Sequence, residues 1–136
     1  MSSLSTKPPL HLESEFVVFD PRLEATALEV HQDFFQELDQ RGDGFKGHLL
    51  MSSFAFASDW ETWEMHPAGD EVVVLLSGEV TFILDIPNNP QQVTLSESGS
   101  YVIVPRGVWH TAKTNVETRM MFFTAGAGTQ NRPVVE

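Results

Sequence analysis

The chain has 136 residues, a formal net charge of −11 and no cysteine. This length suits one domain with a single core, and the lack of cysteine excludes disulfides, thiolate catalysis and zinc–thiolate sites. The acidic balance argues against nucleic acid, whose phosphates are neutralised by Lys and Arg, and against an acidic membrane surface.

The sequence carries no signal for membrane insertion or secretion. No apolar run reaches the ~20 residues of a transmembrane helix. The first residues, MSSLSTKPPLHLESE, lack the basic flank and the apolar stretch of a secretory signal. We therefore expect a cytoplasmic protein whose partner is a small molecule or a second copy of itself.

Composition divides the chain into four parts. Residues 1–14 are polar and rich in proline, which predicts a flexible N-terminal arm. Residues 15–46 are predicted to form an N-terminal extension with one short helix. Residues 47–125 are rich in strand-forming side chains and are predicted to form a β-barrel. Residues 126–136 begin with a glycine-containing turn and are predicted to form a C-terminal tail.

Two short strands and a helix are predicted within the N-terminal extension. Glu15–Phe19 is a short apolar run that ends at an Asp-Pro pair, and Ala27–Val30 has a similar pattern. The segment HQDFFQELDQ then places Phe34 and Leu38 four residues apart, which is the spacing of one helix face. A short amphipathic helix is therefore predicted over residues 32–39.

Seven or eight short segments rich in Val, Ile, Phe, Tyr, Trp and Thr follow residue 47, and turn-forming residues bound each of them. They read HLLMSSFAFAS, WETWEMH, EVVVLL, EVTFILDI, QQVTLS, SYVIVP, VWHTAK and RMMFFT. No helical segment long enough to connect parallel strands intervenes, so the sheets should be antiparallel. The prediction is an all-β sandwich or jelly-roll barrel with one minor N-terminal helix.

Four polar side chains are expected to point into this barrel. Side chains alternate between the two faces of a strand, which puts Glu64 with His66, and Glu71 and His110, on inward faces. Burying two carboxylates and two imidazoles without partners is costly, and a divalent cation would remove that cost. Alternatively, these groups only meet solvent or satisfy backbone groups in the turns between strands.

The spacing of these residues resembles two motifs of the cupin superfamily. The first motif is commonly written G-x5-H-x-H-x3,4-E-x6-G. This chain has Ser58, Glu64, His66, Glu71 and Gly78 at its defined positions. Serine and glutamate therefore replace the first glycine and the first histidine of the motif.

The second motif, G-x5-P-x-G-x2-H-x3-N, is matched by Gly99, Pro105, Gly107 and His110, with Thr114 at its last position. The two motifs together span residues 58–115, and the flanking strand-rich segments extend the resemblance to about residues 47–125. Two spaced motifs joined by a strand-rich linker form a much stronger signal than either motif alone.

The resemblance implies a small jelly-roll barrel, frequently dimeric, with one divalent metal ion held by three histidines and a glutamate. By position, His66, Glu71 and His110 match three of those ligands, and Glu64 replaces the fourth. The ion, Mn, Fe, Ni or Zn, would then be bound by two His and two Glu, a harder ligand set that favours Mn or Fe. Alternatively, Glu64 is a catalytic proton carrier beside a two-His-one-carboxylate triad, or the pocket has lost its metal.

The resemblance leaves two classes of function open. The first is a small metalloenzyme of the isomerase, lyase or dioxygenase type, with an unassigned small-molecule substrate. The second is a non-catalytic ligand-binding or sensor module that uses the same pocket. The motifs do not choose among substrates.

An apolar outer face of the barrel predicts self-association. Val72, Val74 and Leu76 alternate with the inward residues, and an exposed apolar face needs a cover. The N-terminal strand and the helix are expected to cover part of it, and a second subunit the rest, in a homodimer. The barrel core is predicted to include Phe82, Tyr101 and Ile103.

Overall fold

The computed structural model describes residues 9–40 and 42–135. The elements are β1 (Glu15–Phe19), β2 (Ala25–Glu29), α1 (Phe34–Asp39), α2 (Gly42–Phe45), β3 (Leu49–Phe56), β4 (Thr62–Met65), β5 (Glu71–Ser77), β6 (Val80–Asp85), β7 (Gln91–Leu95), β8 (Tyr101–Val104), β9 (Trp109–Lys113), β10 (Thr118–Thr124) and β11 (Gln130–Pro133). Residues 1–8 of the predicted arm lie outside the described residues. Within the described ranges, no helix has the length and apolar character needed to cross a membrane.

The strands form two antiparallel sheets. The first sheet has the order β2-β1-β3-β10-β5-β8 and the second has the order β11-β4-β9-β6-β7. Strands that follow one another in the chain often lie in different sheets, as β4 and β5 do, so the chain crosses repeatedly between the two layers. This double-layered antiparallel arrangement is a jelly roll, and the all-β prediction is confirmed.

The barrel core lies between the two sheets and follows the alternation of side chains along each strand. Val73 and Leu75 on β5 are fully buried, and they face Phe82 on β6 and Ala112 on β9 in the same cluster. These four side chains have no exposed surface, so removing their apolar area from water contributes directly to stability. The prediction that Phe82 is a core residue is confirmed.

The predictions for Tyr101 and Ile103 are wrong, because these side chains are 60% and 51% exposed. Their strand, β8, buries Val102 and Val104 instead. All four residues are apolar, so the sequence of β8 does not reveal which alternate set points inward. The pairing of β8 with β5 decides it, because it places Ile103 opposite Val72 on the outer face.

The N-terminal extension adds two strands to the first sheet and a second apolar cluster. Strand β2 begins two residues earlier than predicted, and α1 begins at residue 34 instead of 32. Helix α1 buries Phe34 and Leu38 against Phe16 and Val18 of β1. These aromatic and aliphatic contacts include an edge-to-face pair between Phe16 and Phe34, with ring centroids 5.2 Å apart.

The sequence led us to expect that helix α1 covers part of the outer face of the sheet. This expectation is wrong. The pairing register places Val18 opposite Leu50, and Leu50 opposite Thr124, and Thr124 hydrogen-bonds to Glu71 on the inner face. The helix therefore packs on the inner side of the first sheet, next to the opening of the barrel.

The C-terminal segment also differs from the prediction of a tail. Residues 130–133 form β11, which pairs with β4 from Gln130 opposite Met65 to Pro133 opposite Thr62. All four residues of β11 are exposed, so the strand has no apolar alternation that a sequence pattern could detect. It exists because it satisfies the backbone groups along the free edge of β4.

Candidate metal centre

Both sheets contribute side chains to one cluster inside the barrel. Glu64 on β4 lies directly opposite His110 on β9 in the second sheet. His66 follows the last residue of β4, and Glu71 is the first residue of β5 in the first sheet. Because the sheets face each other, the four residues singled out from the sequence come together.

The polar atoms of the cluster are close enough to share one partner. The two carboxylate oxygens of Glu71 lie 3.3 Å from His66 Nε2 and 3.2 Å from His110 Nε2. Glu64 Oε1 lies 3.8 Å from His66 Nε2. Glu64, His66 and His110 each offer one ligand atom, and these three atoms all lie within 4.8 Å of one another. Glu71 is 3% exposed, His66 5% and His110 0%, whereas Glu64 is 33% exposed.

Hydrogen bonds at the far side of each imidazole determine its orientation. His66 Nδ1 lies 2.8 Å from Thr129 Oγ1, and that hydroxyl donates its own proton to the carbonyl of Gly126. Thr129 must therefore accept a proton from His66 Nδ1. His110 Nδ1 lies 3.2 Å from the carbonyl of Val108, which can only accept. In the neutral rings, both Nε2 atoms consequently present lone pairs to the centre of the cluster.

Three buried atoms at the centre of this cluster have no hydrogen-bond partner within the described part of the chain. They are His66 Nε2, Glu71 Oε1 and His110 Nε2. A cation between them would satisfy all three lone pairs at once. Ligands about 2.1 Å from one ion are separated by about 3.0–3.5 Å. The contacts of Glu71 with His66 and His110, at 3.3 and 3.2 Å, lie in this range, whereas the 3.8 Å between Glu64 Oε1 and His66 Nε2 exceeds it. Glu71 and the two imidazoles therefore fit a divalent metal.

The acid–base properties of the cluster follow from its burial and its internal contacts. Burial opposes the ionisation of Glu71, but contacts with the imidazoles of His110 and His66 outweigh it and lower its pKa to about 2. Burial favours neutral His110, yet the contact with Glu71 outweighs burial and raises the pKa of that imidazole. Burial, and then the charge of Glu71, raise the pKa of Glu64. Glu71 therefore carries the permanent charge, and Glu64 is the carboxyl that holds a proton more readily.

Thr124 and Thr129 belong to the site, although the sequence did not point to them. The Thr124 hydroxyl donates a hydrogen bond of 2.6 Å to Glu71 Oε2, the oxygen that lies 3.3 Å from His66 Nε2, and this bond helps to fix the carboxylate within the cluster. Alternation along β10 could have identified Thr124, because Met120 and Phe122 on the same face are buried. Thr129 is 63 residues from His66 in the chain and lies in a loop, so no local pattern could have identified it.

Comparison with known families supports the resemblance that the motifs suggest. The model of the cupin domain matches residues 57–126, which include all four cluster residues and both motifs. A comparison with curated proteins gives no significant match.

The solved structures that this chain resembles include a cupin-2 domain protein, an oxidase and a peptidase. A cupin-2 domain protein from Shewanella frigidimarina is 21% identical with a TM-score of 0.47, over 55% of this chain and 68% of that chain. An oxalate oxidase in complex with glycolate is 20% identical with a TM-score of 0.52, over 60% of this chain and 45% of that chain. Peruvianin-I, a cysteine peptidase from Thevetia peruviana latex, is 17% identical with a TM-score of 0.52, over 64% of this chain and 57% of that chain.

The two structures with a TM-score of 0.52 show the fold and not a shared activity. The chain spans less than half the length of the oxalate oxidase that it resembles. It contains no cysteine, so the nucleophile of a cysteine peptidase has no counterpart here. The chemistry must be inferred from the cluster itself.

Proposed function

The chain belongs to the cupin domain family, and from this premise we propose that it is a metal-dependent enzyme acting on a small molecule. One divalent ion would be held by His66, Glu71 and His110, with Glu64 as a weaker fourth ligand on the exposed side. The observation that carries this proposal is the set of three buried lone pairs, His66 Nε2, Glu71 Oε1 and His110 Nε2, that lack a partner.

The ligand set narrows the choice of ion without deciding it. Two imidazoles and two carboxylates are compatible with Mn, Fe, Ni or Zn, and the carboxylates favour Mn or Fe over a softer ion. A bound divalent cation supplies Lewis-acid activation of a substrate oxygen, or electron transfer when the metal is redox-active.

The protein's own residues would position the substrate and move a proton. Glu64 is the most exposed member of the cluster and lines a cavity that opens away from His66 and Glu71. A partly exposed carboxylate beside the metal position suits a group that takes a proton from a bound molecule and returns it. These properties favour an isomerase, lyase or dioxygenase in which Glu64 is the general acid–base residue.

Metal content of protein purified without added metal tests this proposal. We expect about one divalent ion per chain by elemental analysis. Glu71→Gln should lose the ion, because it removes the permanent charge between the two imidazoles. Glu64→Gln should retain it with an affinity lowered by no more than about tenfold, while the turnover of any identified substrate is lost.

Two outcomes would contradict parts of the proposal. If Glu64→Gln loses as much metal as Glu71→Gln, then Glu64 is a permanent ligand and the proton transfer falls to another group. If the wild-type protein remains metal-free after incubation with each of the four ions, the cluster is not a metal centre. A ligand-binding or sensor module that uses only the cavity would then replace the enzyme.

Thr129→Val is expected to weaken metal binding about tenfold without removing a ligand. The valine keeps the size of the side chain but removes the acceptor of the His66 Nδ1 proton. The ring would then be free to rotate or to move its proton to Nε2, where the proton competes with the ion. Competition with a coloured chelator measures the affinity.

Thr129→Ser is the matched control, because it restores the hydroxyl at the same position. Affinity should return to within about twofold of the wild-type value if the hydrogen bond is the cause. Equal affinities for the valine and serine variants would show that the contact of Thr129 with His66 has no influence on the ion.

We also propose that two copies associate through the outer face of the first sheet. The register aligns Val17, Met51, Phe123, Val72 and Ile103 in one row across five strands. All five side chains are apolar, and Ile103 is 51% exposed. Helix α1 packs on the opposite side of the sheet, so no helix of the described ranges covers this row. A second copy would bury it.

Ile103→Glu is expected to convert the dimer to a monomer, because a charge buried in an apolar interface is costly. Light scattering after size-exclusion chromatography, at micromolar concentration, measures the molar mass. Val116→Glu is the control, since Val116 is 44% exposed in the turn between β9 and β10 and lies outside the row. A monomeric wild-type protein would contradict the proposal directly.

The remaining inferences concern location and partners. We propose a cytoplasmic protein that does not bind nucleic acid, and the formal net charge of −11 supports the second part, because phosphates would repel the chain. Cell fractionation and a filter-binding measurement with duplex DNA at low salt would test these two predictions.

A further inference from the structure

A cavity of about 1020 Å³ extends from the candidate metal centre to the N-terminal extension. Glu64, His66 and Glu71 lie at its inner end, whereas Phe35 of α1 and Phe45 of α2 lie at its outer side. Its volume is at the upper end of the range for small-molecule sites. The helices of the N-terminal extension therefore help to form the ligand pocket.

Aromatic rings form one wall of this cavity. Phe35 and Phe54 are stacked with ring centroids 6.1 Å apart and planes at 23°, and they are 50% and 40% exposed. Phe54 contacts Phe122 at 5.8 Å, and Phe122 lies 6.2 Å from Trp60. Trp60 in turn lies 6.2 Å from the ring of His110. The wall therefore runs without interruption from the opening to the metal cluster.

The charges around the cavity disfavour an anionic occupant. Its charged lining residues are Asp39, Glu61, Glu64 and Glu71, and none of the described lining residues is lysine or arginine. A phosphate or carboxylate group would find no cationic side chain to bind it and would be repelled by these carboxylates. A neutral apolar molecule avoids this cost and gains from contact with exposed rings.

We propose that this cavity binds a neutral aromatic compound whose rings lie against Phe35, Phe54 and Trp60. The inference rests on the proposed function in one respect, because a hydroxyl or carbonyl substituent of the compound would face the metal position beside Glu64.

Three probes with the same fused rings test this inference: naphthol, naphthoate and naphthylmethylammonium. Titration calorimetry is carried out on the full chain, both metal-loaded and treated with a chelator. In the chelator-treated form, where no cation balances the lining carboxylates, naphthol should bind at least about tenfold more tightly than naphthoate. Phe54→Ala should weaken naphthol binding about tenfold. Tyr101→Ala should leave it unchanged, because Tyr101 is 60% exposed on the outer face.

Phe35→Ala provides a second variant in case Phe54→Ala does not fold, and it should also weaken binding. The inference is overturned if no form binds naphthol, if both phenylalanine variants bind it as the wild type does, or if naphthoate binds more tightly after chelation. Tighter binding of naphthylmethylammonium than of naphthol by the metal-loaded form, in which the ion balances the charges of Glu64 and Glu71, would overturn it in favour of an amine ligand.

Metal content measured on the same samples separates this inference from the proposed function. Binding of naphthol by a protein that takes up no metal would contradict the metal centre alone. Full metal content without binding of any probe would contradict the aromatic site alone.

Discussion

His110→Ala is expected to reduce the bound metal from about one ion per chain to less than about a tenth. Changes in residues that merely orient a ligand cost about 10–100-fold in affinity, so loss of a ligand should cost more than about 100-fold. His110 is fully buried, and its Nε2 atom lies 3.2 Å from Glu71. The substitution also removes one of the two imidazoles that contact the Glu71 carboxylate. Elemental analysis and chelator competition measure the effect.

His31→Ala is a suitable control, because His31 lies far from the cluster and pairs with Glu37 at 3.0 Å. Its metal content should equal that of the wild type. Since an empty buried site can prevent folding of His110→Ala, His66→Gln supplies a second test with a side chain of similar size. Wild-type metal content in folded forms of both variants would exclude the cluster as the binding site.

Gly78→Ala is expected to destabilise the fold by more than about 4 kcal/mol, which is exceptional for one methyl group. Gly78 has a φ of +92°, and an added Cβ atom would overlap the backbone oxygen of Glu117 and lie 2.7 Å from Cα of Thr118. Both neighbours are backbone atoms of the turn into β10, so they cannot move without disturbing that strand. Urea denaturation followed by tryptophan fluorescence measures the free energy of unfolding.

Gly99→Ala separates backbone strain from steric overlap. Gly99 also has a φ of +92°, but nothing lies within 4 Å of its added Cβ atom. Its cost should be limited to the unfavourable backbone conformation, about 1–2 kcal/mol. If the two variants lose the same stability within about 0.5 kcal/mol, the contact between the β5–β6 turn and β10 is not the reason for glycine at position 78.

These two glycines explain part of the family motifs in physical terms. Gly78 ends the first motif and Gly99 begins the second, and each occupies a turn with positive φ. Ser58 and Thr114 depart from the motifs. Thr114 nevertheless lies in a hydrogen-bond network, because its backbone N–H donates to Asp59 Oδ1 at 3.0 Å and its hydroxyl donates to the carbonyl of Glu79 at 2.6 Å. A threonine can therefore serve at this position as a turn residue.

The alternation of apolar side chains was sufficient to predict an all-β sandwich or jelly roll, and the resemblance of the two motifs implied the jelly roll. Alternation could not decide orientation where both alternate sets are apolar, and Tyr101 and Ile103 on β8 were assigned to the wrong face for that reason. It also missed β11, whose polar residues pair with β4 through backbone groups alone.

The sequence by itself determined the fold class and the residue types of the candidate site, because the period of a strand and the spacing of a motif are local properties. The tertiary structure decided the rest. It brought Thr129 to His66, placed α1 beside the cavity, and aligned Glu64 with His110 while Glu71 approached from the opposite sheet. Such contacts join distant parts of the chain, and they depend on strand register and sheet packing, which no local pattern of residues specifies.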